Sequence, residues 1–224
     1  MEYAAKHAHA RATHRNGRIE VIDCYRDGFG ALVDHPVPLL ALGFGVCALV
    51  WAAWGLVGLP FIGALVGFAF AALVSTPLTF GFAYVCLRAV RDDEVEPGEV
   101  ASVYDRYLDA ALAAALTAGL VLVGLAFFVV PGVYLLVRFA FVPYLIVEEH
   151  RSATDAMFES FERTQGHGWA ILALGVCRLV LFGVGSATFG LLIVPGAVWS
   201  DLALASLYAR ASGRTRAADI GIDF

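Results

Sequence analysis

Long apolar segments alternate along the chain with polar stretches and with short turns that contain Pro or Gly. A bilayer core is about 30 Å thick, so a helix that crosses it needs about 20 apolar residues. Six segments suit this role: Val37–Leu59, Phe61–Val90, Ala110–Val130, Val133–Val147, Gly168–Ser186 and Gly190–Tyr208. The pattern predicts an all-α, polytopic integral membrane protein with six transmembrane helices.

Three shorter stretches carry apolar residues at three- and four-residue steps, which is the spacing of one helical face. They cover residues 19–35, 100–108 and 152–165, and the third opens with Ser152 and Asp155 at capping-box spacing. Each stretch precedes two apolar segments joined by a short turn. We therefore expect three transmembrane hairpins, each preceded by a cytoplasmic amphipathic helix.

The chain reads as one membrane domain, residues 19–211, between a mobile N-terminal tail (1–18) and a C-terminal tail (212–224). Within this domain we predict three pseudo-repeats, at about 19–91, 97–150 and 152–211. The first and third units align at a constant offset, which pairs Asp23 with Asp155, Phe29 with Phe161, and His35 with His167. All three units point the same way, unlike the inverted repeats of many transporters.

Composition supports a membrane protein and argues against a nucleic-acid partner. Hydrophobic residues make up 60% of the chain and charged residues 16%, and the formal net charge is −5. Thirteen of the 15 Lys and Arg residues lie in the N-terminal region, around the two longer loops or in the C-terminal tail, and the three short turns carry none. Positive charge marks the cytoplasmic side. We expect a multi-pass protein of the plasma membrane with both termini in the cytoplasm and the lipid bilayer as its main partner.

One long stretch resembles a known group of prokaryotic membrane proteins. The segment PGVYLLVRFAFVPYLIVEEHRSATDAMFESFERTQGHGWAILALG, residues 131–175, has a span opened by Pro-Gly, a Pro-Tyr near its end, an acidic pair, and a helix that ends in Gly-His. It resembles the YciC-like proteins and the membrane domain attached to some glycerophosphodiester phosphodiesterases. The resemblance implies a six-helix protein, mostly of unknown function. It does not imply the phosphodiesterase reaction, which belongs to a separate soluble domain, and it supplies no catalytic residues.

Three charged residues lie deep in the predicted spans: Arg138, Arg178 and Asp201. A charge that faces lipid is costly, so each should face protein or water. Their similar depth predicts one polar network of two arginines and a carboxylate. The network is either a clamp between spans four, five and six, or a site that holds an anion with its excess positive charge.

Other polar residues fall at the predicted membrane boundary. His35 and His167 lie at the starts of spans one and five, and Glu148 and Glu149 follow span four. We interpret all four as interfacial residues, with a proton-linked role as the alternative for the histidines. His7, His9 and His14 could bind a metal, but a solvated tail that touches anionic lipid is the favoured interpretation.

The motifs of common enzymes are missing from the sequence. It contains no H-E-x-x-H, Walker or G-x-S-x-G pattern, so we predict a protein that is not an enzyme, with no catalytic residue, cofactor or metal. The favoured function is a membrane scaffold or accessory protein whose amphipathic helices form a cytoplasmic platform for anionic lipid or a protein partner. The alternative is a transporter or lipid-handling protein with an intramembrane anion site. The space around Arg138 discriminates between the two: a packed, dry network would favour the scaffold, and a cavity that reaches the cytoplasmic face or the lipid would favour the alternative.

Overall fold

A computed structural model describes residues 21–57, 66, 70, 74–91, 107–187 and 192–219, with no description of the side chains at 54, 56, 57, 76 and 214–219. Every regular element in these residues is a helix. They are α1 (Val21–Asp34), α2 (Pro36–Val57), α3 (Thr76–Val90), α4 (Tyr107–Phe127), α5 (Val129–Arg138), α6 (Val142–Glu148), α7 (Ala153–Arg163), α8 (Gly168–Ala187) and α9 (Ile193–Asp219). The prediction of an all-α fold is confirmed for the described residues.

Four stretches of helix are long and apolar enough to cross a membrane: Pro36–Ala53, Tyr107–Phe127, Val129–Glu148 and Gly168–Ala187. They coincide with the predicted spans one, three, four and five. The first part of the second predicted span lies mostly outside the described residues, and its described end forms a shorter apolar helix, Pro77–Val90. The sixth falls in α9. Many large apolar side chains are exposed, among them Phe127, Phe128, Val129 and Val130. Surfaces of this kind are rare on soluble monomers and suit contact with lipid.

The fourth predicted span is broken rather than continuous. Residues 139–141 form a turn between α5 and α6, directly after Arg138. The cause is Pro143, which has no N–H to donate to the carbonyl of Phe139. The N–H of Val142 donates to that carbonyl instead, over 3.2 Å, which tightens the chain into a turn. The break makes Arg138 the last residue of a short helix.

Helix α9 lies at the centre of the described structure. It packs against α1, α2, α3 and α8, and Leu202, Ala203, Ala205, Leu207 and Tyr208 are fully buried. The ring of Tyr208 stacks on that of Tyr144, with 4.7 Å between centroids. Helix α9 therefore holds these four helices together.

Helix α1 packs directly against α9 at Gly28. A Cβ atom added to this glycine would lie 3.0 Å from the backbone nitrogen of Ala203, which is closer than normal packing allows. The indole Nε1 of Trp199 donates to the carbonyl of Tyr25 over 2.8 Å. Asp27 pairs with Arg210 and accepts a hydrogen bond of 3.0 Å from Ser206. The predicted amphipathic helix thus docks on the bundle through specific contacts.

Pro36 and Gly168, which begin α2 and α8 in the first and third predicted units, are separated by 132 residues, the offset used to align the two units. Residues 100–106 of the second predicted amphipathic helix, among them Tyr104, lie outside the described residues. Both predicted tails also lie outside them, apart from residues 212–219, which continue α9.

Candidate functional site

Arg178 and Asp201 form an ion pair between the middle of α8 and the first half of α9. The Nη1 group of Arg178 donates to Oδ1 of Asp201. Among the described residues, this is the single hydrogen bond of a guanidinium that carries five N–H donors. The pair therefore links two helices and leaves donor capacity on the arginine.

The first cavity lies beside this pair and has a volume of about 610 Å³. Helices α2, α3, α6, α8 and α9 all contribute to its wall, and Arg178 and Asp201 are the charged residues that line it. Small-molecule sites usually occupy about 300–1,000 Å³ and combine apolar walls with a few polar groups. The first cavity fits that description.

The rim of the first cavity is apolar and faces outward. Trp51 is 62% exposed, Leu179 is 72% exposed and Phe182 is 53% exposed, and all three line the cavity. In a membrane protein, exposed apolar side chains of this size meet lipid chains. The first cavity therefore has an apolar, outward-facing rim of a kind that suits contact with lipid chains.

A second cavity, of about 530 Å³, lies on another side of Arg178. Residues of α4 line one side of it, and Arg178 is its one charged lining residue among those described. The hydroxyl of Thr117, which also lines this cavity, is buried and has no hydrogen-bond partner within the described part of the chain. Arg178 thus borders two separate apolar spaces.

The structure does not bring Arg138 to the ion pair. Its guanidinium lies over the rings of Tyr134 and Phe161, at 4.9 and 4.7 Å from the centroids. Its Nη1 group lies 3.4 Å from the carbonyl of Phe161 and 3.4 Å from the hydroxyl of Thr164. Of the three residues predicted to share a network, the structure pairs Arg178 with Asp201 and directs Arg138 toward α7.

Ser160 on α7 joins the two halves of the broken span. Its hydroxyl donates to the carbonyl of Arg138 over 2.7 Å and accepts from the N–H of Phe141 over 3.3 Å. Both backbone groups lie at the break and would otherwise lose a helical partner. Sequence reasoning missed this residue, although Pro143 after a deep arginine was a usable signal of a break.

Glu148 and Glu149 anchor a cluster of ion pairs at the junction of α6 and α7. Arg91 binds Glu148 at 2.6 Å, and Arg163 binds both oxygens of Glu149 at 2.6 and 2.9 Å. Desolvation lowers the pKa of Arg163, but the hydrogen bonds and charge of Glu149 outweigh it, so the pKa is raised. Arg151 binds Glu159 at 2.9 Å. The residues predicted to be interfacial here are parts of a charge-balanced cluster.

The two predicted interfacial histidines flank helix starts. His35 lies at the bend between α1 and α2, and His167 lies in the turn before α8. The N–H of Leu39 donates to the carbonyl of His35, and that of Ile171 donates to the carbonyl of His167. Within the described residues, no group of three or more His, Cys, Asp or Glu side chains could hold a metal ion. His7, His9 and His14 lie outside them.

The described residues form an all-α protein with helices long and apolar enough to cross a membrane, and comparison with known proteins adds a family. The family model described as a domain of unknown function (DUF7847) matches residues 100–215, which is more than half of the chain. The chain belongs to this family. No curated protein matches the chain, and no solved structure does. The resemblance to the YciC-like proteins and to the phosphodiesterase membrane domain gains no support from these comparisons.

Proposed function

We propose that this protein binds or moves an anionic amphiphile, such as a lipid, through the first cavity, without catalysing a reaction. The observation that supports the proposal is the position of Arg178, which lies in an apolar cavity whose exposed rim would face lipid chains. An anionic headgroup would meet the guanidinium, and its chain would contact the apolar walls. This was the alternative prediction from the sequence. The cavity that supports it lies beside Arg178, whereas Arg138, the residue around which a cavity was sought, packs against Tyr134 and Phe161.

The topology that goes with this function has six crossings and both termini in the cytoplasm. Four helices are long and apolar enough to span. We propose that the segment ending in α3 forms a fifth crossing and the first half of α9 a sixth. An even number of crossings places the Lys- and Arg-bearing loops together on one side, in line with the charge rule for the plasma membrane.

A scaffold remains the second candidate, because the outer faces of two amphipathic helices carry exposed apolar side chains. Ile22 on α1 and Phe158 on α7 are both largely exposed. Such residues could insert into the cytoplasmic face of the bilayer or meet a protein partner. In this case the ion pair would serve only to hold α8 against α9.

Binding of an anionic lipid distinguishes the two candidates. The protein, purified in an uncharged detergent, would be titrated with short-chain phosphatidylglycerol and, as the neutral control, short-chain phosphatidylcholine. We expect phosphatidylglycerol to raise the melting temperature more. The effect should be lost in the double variant Arg178→Met/Asp201→Leu, which removes the charges at similar volume, and in Ala197→Phe, which fills the first cavity. Equal stabilisation of wild type and both variants would contradict the proposal.

A further inference from the structure

The charges at the first cavity sum to zero before any ligand arrives. Arg178 from α8 contributes one positive charge, and Asp201 contributes one negative charge. The other titratable groups close enough to Asp201 to interact with its charge are Tyr25 from α1, Cys47 from α2, Cys86 from α3 and Tyr144 from α6. All four are neutral at ordinary pH. Among the described residues, no lysine, histidine or second carboxylate lines either cavity.

An anion that binds Arg178 changes this balance. The site would then hold two negative charges and one positive charge between apolar walls. A carboxylate that loses its cation in such surroundings is strongly destabilised, and it becomes neutral rather than remaining charged. Of the groups that face the site, Asp201 is the one that can restore neutrality by taking up a proton.

We propose that an anionic headgroup displaces Asp201 from Arg178, and that Asp201 takes up one proton from water as this happens. The inference rests on the proposed function of the same site. One ion pair breaks, a second forms between Arg178 and the ligand, and an O–H bond forms on Asp201. The total charge is zero before and after the exchange. Binding of the anion is therefore coupled to binding of a proton.

The coupling also supplies a route for release. When Asp201 loses its proton, its carboxylate competes again for the guanidinium, and the ligand loses its main polar contact. A difference in pH between the two sides of a membrane would then favour capture on the acidic side and release on the other. An apolar pair at these two positions would hold the helices together equally well but would lack this property.

The direct test counts protons during binding by wild-type protein. Short-chain phosphatidylglycerol is a suitable probe because its phosphodiester keeps a single negative charge across the working pH range. Calorimetric titration at one pH in two buffers of different ionisation enthalpy gives the number of protons taken up. We expect one proton per lipid. The dissociation constant should also rise about ten-fold per pH unit where Asp201 is ionised in the free protein and still protonated in the complex, and level off at the higher pH where Asp201 of the complex loses its proton.

Two variants test whether Asp201 is the residue that takes up the proton when the lipid binds. In Asp201→Asn, we expect the lipid to bind with no proton uptake, little dependence on pH and a larger rise in melting temperature, because the anion becomes the partner of Arg178. The matched control is Asp27→Asn, which removes the carboxylate that pairs with Arg210 outside both cavities. It should still take up one proton per lipid.

Dimethyl phosphate as a second probe shows whether the headgroup alone is enough, since a soluble anion that binds with the same proton count supports the coupling without a lipid chain.

The outcomes separate the coupling from the proposed function. Binding of phosphatidylglycerol to wild type without proton uptake would overturn the coupling and leave the lipid site standing. Proton uptake that persists in Asp201→Asn would place the proton elsewhere and overturn the assignment. Absence of any lipid binding would overturn the proposed function, and the coupling with it.

Discussion

Arg138 is stabilised in an apolar helix by aromatic rings and carbonyl oxygen rather than by a carboxylate. Guanidinium groups are weakly hydrated and stack on aromatic faces, which suits them to positions where a lysine would be costly. Arg138 is also the last residue of α5, where the helix dipole favours positive charge. Arg138 occupies this helix end because the span breaks directly after it, at residues 139–141. The position of Arg138 along the predicted span placed it deep in the membrane but could not show which neighbours its side chain would contact.

Ser160 provides the first prediction at this scale. Replacing it with alanine leaves the carbonyl of Arg138 and the N–H of Phe141 without their shared partner. A buried polar group that loses its partner costs about 1–3 kcal/mol, so Ser160→Ala should lower the free energy of unfolding by about that amount. Reversible unfolding in mixed micelles measures it. Ser186→Ala is the control, because that hydroxyl bonds the carbonyl of Phe182 one turn back in its own helix. Equal stability of the two variants would contradict the bridging role.

The pair of Arg178 and Asp201 provides the second prediction. Asp201→Leu alone leaves the positive charge of Arg178 without its partner and should lower the free energy of unfolding. Breaking a fully buried pair typically costs about 3–5 kcal/mol, and the loss should be smaller here because the side chain of Arg178 is 49% exposed at the cavity. The double variant Arg178→Met/Asp201→Leu removes both charges and should be clearly more stable than the single variant. The same unfolding measurement compares the three proteins. If the double variant is no more stable than Asp201→Leu, the two charges do not depend on each other.

At the scale of elements, apolar periodicity predicted where helices occur better than it predicted which neighbours they pack against. The amphipathic helix α1 was predicted to form part of a cytoplasmic platform for anionic lipid or a protein partner, but its Tyr25 and Gly28 contact α9 while Phe29 remains half exposed. A periodic pattern shows that a helix has an apolar face, but it does not reveal which neighbour covers that face. The fourth span shows the same limit, because hydropathy treats Val129–Glu148 as one segment and is insensitive to a break at residues 139–141.

The docking of α1 on α9 gives the third prediction, from two glycines two residues apart. Gly28→Ala places a methyl group 3.0 Å from the backbone of Ala203, so it should push α1 away and reduce stability. Gly30→Ala meets nothing within 4 Å and should raise stability by up to about 1 kcal/mol, since alanine favours helix. Thermal unfolding of the two variants tests the opposite signs. Destabilisation by both would show that Gly30 also lies in a tight contact.

At the scale of the whole molecule, the sequence predicted the class of protein and the Arg178–Asp201 contact more readily than the cavities. Uninterrupted apolar segments are a strong signal because backbone polar groups must be satisfied inside lipid. Opposite charges at similar depth are a strong signal because isolated charges there are costly. A cavity has no such signature. It depends on how five helices tilt and on small residues such as Gly43, Ala83 and Ala197 that line it, and none of these differs in type from residues elsewhere in the bundle.

The orientation of the molecule in the membrane gives the last prediction. In a background without the four native cysteines, we would introduce single cysteines at Gly58 and Gly190, beside two of the predicted turns, and at Phe158, which is 76% exposed on α7. A membrane-impermeant maleimide added to intact cells should label the first two sites and spare Phe158→Cys, which should react only after the cells are opened. Six crossings place both turns outside, because those turns lack Lys and Arg while the loop that contains α7 carries Arg151 and Arg163. Labelling of Phe158→Cys in intact cells would exclude the six-crossing topology. It would also place the cluster around Glu149 on the outer face, where the positive charge of its arginines would oppose the usual rule.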